Sequence, residues 1–172
     1  MVRPAREYPF PQADSPQKIL HFLNFLCESR QKHDDISLGE VFHVHHRQAR
    51  MYGDALGFLG LASFSGGYWI PTKLGQEIHK KPEDEAMTSL AGLVFEKSIF
   101  AEAVAHLRVL GAPPEQDLVM TWIREENPGL NDTTASRRAK TVISWAEKLS
   151  PFFYRDTVTA EQSPPSQMSL AA

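Results

Sequence analysis

Residues 47–72 read RQARMYGDALGFLGLASFSGGYWIPT, and this stretch decides the fold. Its first part has helical periodicity. Ala49, Tyr52, Leu56 and Leu59 fall at i, i+3 and i+7 spacing, the buried stripe of a helix over residues 47–59. Its second part is a hairpin. Two β-prone runs, 61–64 and 68–70, flank Ser65-Gly66-Gly67, whose glycines supply the positive φ a tight turn needs. Pro71-Thr72 ends the second run, and Thr72 can cap a short helix over residues 73–80.

Working upstream, Ser15-Pro16 reads as an N-cap followed by a first-turn proline. Ile19, Phe22, Leu23 and Leu26 then give a helix one apolar face to about residue 28. The polar run SRQKHDD is a connector, and residues 37–42 form a short helix with Leu38, Val41 and Phe42 as apolar positions. Three helices, a hairpin and a return helix follow the order of a winged helix, the helix-turn-helix variant that lays its third helix in the DNA major groove.

Working downstream, Lys81-Pro82 punctuates the chain, and Glu83-Asp84-Glu85 place acids where a helix dipole favours them. Leu90, Leu93 and Val94 carry that helix's apolar face, and a second helix over 99–110 stops at Gly111. Pro113-Pro114 opens a third with Leu118, Val119, Trp122 and Ile123 buried, and Asn127-Pro128-Gly129 ends it. A long helix over 135–149 buries Ala135, Ala139, Val142, Ala146 and Leu149. Ser150-Pro151 is expected to break it, leaving Phe152-Phe153-Tyr154 as a strand. The organisation expected is mainly α with small β wings: a flexible arm at 1–14, a winged-helix domain at 15–81, a winged-helix-like domain at 82–156 and a disordered tail at 157–172.

Composition narrows the class. The chain has 172 residues, 42% hydrophobic, 23% charged, with a net charge of −3, which is globular and argues against a generic polyanion binder. The charge is unevenly spread. Residues 82–130 hold nine acids against three bases, whereas 131–156 hold five bases against three acids. The single Cys27 rules out an internal disulfide and fits a reducing compartment, and no apolar run reaches membrane-span length. A soluble cytoplasmic protein is expected.

Two helices carry the candidate binding residues. His46, Arg47, Gln48 and Arg50 lie off the first stripe, with Met51 and Asp54 beside them. Ser136, Arg137, Lys140, Thr141, Ser144 and Lys148 lie off the second, with Arg138 on its flank. Arginine forks and glutamine amides read base edges, while lysines and hydroxyls bind phosphates. On this inventory the second helix supplies most of the affinity and the first most of the selectivity. His43, His45 and His46 lack further ligands at metal spacing, and no cofactor is called for. Gly-rich phosphate loops, GxSxG and HExxH are absent, so the chain reads as a non-enzyme.

The motif Arg47-Gln48-Ala49-Arg50-Met51-Tyr52, Ala55, Leu59-Gly60-Leu61, Gly67-Tyr68-Trp69-Ile70-Pro71-Thr72 and Gly75 resembles a bacterial winged-helix pattern, RQA-x-x-Y followed by LGL and a wing ending in Thr and Gly. Thr134, Arg137-Arg138, Thr141 and Trp145 resemble its companion helix-turn-helix segment. Arg50-Met51 departs from it, standing where an acid or amide followed by an aromatic is commoner. The resemblance, to tandem winged-helix domains fused to or associated with restriction endonucleases, implies binding of double-stranded DNA as a regulator or targeting subunit, in restriction or phage defence. The implied partners are duplex DNA and either a second copy or a nuclease or defence protein. A protein-interaction scaffold is the competing class.

Overall fold

The computed structural model describes residues 11–161, with side chains through Phe153. Among the described residues the chain is mainly helical: α1 (Pro16–Glu28), α2 (Asp35–Val41), α3 (His46–Phe58), β1 (Ala62–Ser65), β2 (Tyr68–Pro71), α4 (Lys73–His79), α5 (Glu83–Phe95), α6 (Ser98–Leu110), α7 (Gln116–Glu126) and α8 (Asp132–Glu161). The two strands form a small antiparallel sheet.

Local chemistry sets the element ends. The Ser15 hydroxyl accepts from the Lys18 amide, and Pro16 follows in the first turn of α1. A reciprocal capping box between Asp34 and Ser37 starts α2. The connector before it also takes part in the sheet, because the Trp69 amide donates to the His33 carbonyl at 2.9 Å. The Trp69 indole nitrogen then donates to Asp35 at 2.8 Å. Hairpin and helix pair are thereby tied together from both sides of one tryptophan.

The Leu59-Gly60-Leu61 motif is the end of α3. Gly60 takes φ +70°, the Leu61 amide donates to Leu56 O at 2.8 Å, and the Gly60 amide donates to Gly57 O at 3.0 Å. That pattern closes a helix through a left-handed residue and aims the chain into β1. Ala62 pairs with Pro71 and Ser65 with Tyr68, and both Gly66 and Gly67 have positive φ in the turn. Thr72 then caps α4 through the Gly75 amide and donates its hydroxyl to Gly60 O at 2.6 Å.

The buried side chains form one cluster running through both halves of the chain. Helix α1 packs on α3 and α4 and reaches α5 and α8, while α8 packs against α5, α6 and α7. Phe22 stacks on Phe42 with centroids 3.9 Å apart, and Phe100 packs on Trp145.

Several expectations are corrected. Pro151 does not break the last helix, which runs on through Glu161 with Pro151 inside it. The proline ring removes the amide that would reach Glu147 O, and the Ser150 hydroxyl donates to that carbonyl at 3.1 Å instead. Phe152-Phe153-Tyr154 is therefore helical rather than a strand, and Phe153 packs edge-on against Phe95. Residues 157–161, expected in the disordered tail, belong to this helix, and 162–172 lie outside the described residues. The arm at 1–14 is not wholly free. Residues 1–10 lie outside the described residues, but Pro11 and Ala13 are buried. Val41 and Leu118, expected on apolar faces, are exposed, and Trp122 is half-buried.

Candidate nucleic-acid interface

The α2–α3 pair is built for close approach. A Cβ on Gly39 would sit 2.8 Å from Val44 O and 3.2 Å from the His46 amide nitrogen, so only glycine lets the two helices meet there. His43 makes the turn in a left-handed conformation, φ +51°. His45 then caps α3, its Nδ1 accepting from the Arg47 amide.

With Ala49, Tyr52, Ala55 and Leu56 buried, α3 turns a polar face outward. His46, Arg47 and Arg50 are exposed and Gln48 is half-buried. Arg50 lies 4.0 Å from the half-buried Asp54 one turn on, a long ion pair. The His45 and His46 rings lie 4.1 Å apart, and no group of three or more His, Cys, Asp or Glu suited to a metal occurs among the described residues.

The second set of candidates is partly withdrawn from the surface. Arg137 and Lys140 are exposed, but Arg138 and Thr141 are each only 7% exposed. The Thr141 hydroxyl donates to Arg137 O, and burial pulls the Arg138 guanidinium below its usual range. Ser136 accepts from the Gln116 amide at 2.7 Å. Ser144 and Lys148 both donate to the Asp14 carbonyl, at 3.4 and 2.9 Å.

Sequence spacing does not single out Asp14, yet both helices bond to it. Its carboxylate accepts from the Tyr52 hydroxyl at 2.6 Å, and next to it the Ala13 carbonyl accepts from the Trp145 indole nitrogen at 2.8 Å. The Tyr52 bond, with Lys18 and Lys148 nearby, holds the Asp14 carboxyl below the ordinary range. Burial, and then this same bond, push the Tyr52 phenol above its own. The Gln48 amide also bears on that hydroxyl. The only signal in the sequence is indirect: a buried tyrosine and a buried tryptophan each need an acceptor.

Arg137, Ser144 and Lys148 lie within about 20° of one line along α8, with Lys140 about 60° to the side, at 100° per residue. The foot of that line reaches Asp14, which also rims a groove of about 410 Å³ along α3 lined by His45, Arg47, Gln48 and Met51. Both polar helix faces thus border the same two residues.

A family described as a domain of unknown function, DUF7226, matches residues 18–150, and the chain belongs to it. The match runs from the first turn of α1 to Ser150, about two thirds of the way along α8, and so includes both candidate faces. No curated protein and no solved structure shows a significant match. No helix among the described residues is long and apolar enough to cross a membrane.

Proposed function

We propose that this protein binds double-stranded DNA through a winged helix over 15–81, extended by a helix-turn-helix-like second half over 82–156. It acts in the cytoplasm, without catalysis of its own, as a regulator or as the targeting subunit of a restriction or phage-defence system, alone, as a homodimer or with a nuclease partner. One observation carries the reading. The polar face of α3, through Arg47 and Gln48, and the Ser144–Lys148 end of the α8 line both border Asp14. A cationic helix followed by a glycine-turned hairpin is the kind of surface that contacts bases with side chains and backbone with its flanks.

The burial of Arg138 and Thr141 changes the expected division of labour. Helix α8 keeps Arg137 and Lys140 for phosphates, so more of the affinity falls to α3. Replacing both, Arg137→Ala with Lys140→Ala, weakens every duplex alike and makes the log–log salt slope shallower by about two units, one for each lost phosphate contact. Fluorescence anisotropy at several salt concentrations measures it. An unchanged slope removes α8 from the interface.

A scaffold role is the second reading. Val109 and Leu110, at the C-terminal end of α6, are 78% and 65% exposed, and such apolar exposure suits a protein partner. The two readings separate on duplex binding at low salt.

A further inference from the structure

Four donors from two helices converge on two consecutive residues. The Trp145 indole donates to Ala13 O, Ser144 and Lys148 donate to Asp14 O, and the Tyr52 hydroxyl donates to the Asp14 carboxylate. Tyr52 comes from α3 and the other three from α8. Ala13 is 2% exposed and sits as an anchor, whereas Asp14 faces solvent. An ammonium and two hydroxyls are the groups that take phosphate oxygens. In the folded chain its own carbonyl and carboxylate occupy them. The same carboxylate sets negative charge at the rim of the α3 groove, beside Arg47 and Gln48.

We propose that residues 12–14 form an autoinhibitory strap, in which Asp14 holds Tyr52, Ser144 and Lys148 as an internal stand-in for a backbone phosphate, and duplex binding displaces it. This rests on the duplex-binding reading above. A strap that only closed the core would need Ala13, the Trp145 bond and a neutral acceptor for the Tyr52 hydroxyl; it would not need that acceptor to carry a charge. It opposes a polyanion arriving at α3 and α8, so it sets how readily random DNA is held.

The experiment uses the full chain and a labelled random-sequence duplex at low salt, with unfolding curves confirming that each variant folds. Asp14→Asn keeps an acceptor for Tyr52 but removes the charge that an arriving phosphate must displace, and it is expected to bind about fivefold tighter. Lys148→Gln is expected to weaken binding in both backgrounds, but more in Asp14→Asn than in the parent, because in the parent Lys148 must give up the charged Asp14 to take a phosphate and so gains less. In the unsubstituted chain, added duplex speeds amide exchange over residues 12–15. Asp14→Asn binding like the parent, while Arg47→Ala with Arg50→Ala weakens binding, overturns the strap and leaves the duplex reading standing. Absence of duplex binding by every form overturns both. If Asp14→Asn fails to fold, exchange in the unsubstituted chain decides: slower exchange at 12–15 on adding duplex overturns the strap.

Discussion

Replacing Arg47 and Arg50 together with alanine lowers affinity for a preferred duplex by about two to four orders of magnitude, since each bidentate base contact is worth roughly 1–3 kcal/mol. Both side chains are exposed on α3, three residues apart, so they share one face of the helix. Neither packs into the core, and the i,i+4 ion pair that Arg50 makes with Asp54 is long, at 4.0 Å. Stability should therefore stay within about 0.5 kcal/mol of the parent, as for ordinary surface substitutions. Binding curves for a selected site and for random DNA, beside a denaturant curve, separate the two effects. Affinity for random DNA should fall less than affinity for the site. If both substitutions prove silent, α3 is not the reading helix.

Gly75→Ala is expected to destabilise the fold by about 3 kcal/mol, at the upper end for overpacking in a well-filled core. An added Cβ would lie 2.1 Å from the Leu61 carbonyl oxygen and 3.0 Å from Leu23 Cδ1. That carbonyl is not free to retreat, because it accepts the Thr72 amide at 3.0 Å where α4 leaves the hairpin. Moving it breaks a bond that fixes α4 to the end of α3; keeping it overlaps atoms. Gly92→Ala is the matched control. Position 92 is helical, has nothing within 4 Å of the added atom and has no unusual φ, so alanine there should stabilise by up to about 1 kcal/mol. Urea midpoints give both values. A Gly75→Ala variant as stable as the parent would mean that α4 approaches Leu61 more loosely than these distances imply.

These two residues mark how far sequence reaches. The helix stripes through Ile19, Leu23 and Leu26, and through Ala49, Tyr52 and Leu56, are legible because a one-sided burial imposes a 3.6-residue period. The hairpin is legible because few residue pairs other than Gly66-Gly67 accept positive φ twice in succession. Helix α8 is harder. It packs against three neighbours, so burial spreads beyond one stripe and takes in Arg138 and Thr141, which spacing alone puts near solvent. Its continuation past Pro151 depends on a hydroxyl one residue away taking over a carbonyl, a compensation no propensity scale carries. For the candidate site, the exposed arginines of α3 can be chosen in advance. The role of Ala13 and Asp14 cannot, since their bonds to Trp145 and Lys148 span more than 130 residues of sequence.

The central claim, that the α3 and α8 faces bind duplex DNA, is tested most directly by titrating the unsubstituted chain against a random-sequence duplex across a range of salt. Binding through phosphates releases counterions, so log affinity should fall linearly with log salt, at about −0.9 per phosphate neutralised. On random DNA, Arg47 and Arg50 have no preferred base to read and meet phosphates beside Arg137 and Lys140, so a slope of about −3 to −4 is expected on that rule. No measurable binding at low salt, or binding with a flat salt dependence, would contradict it.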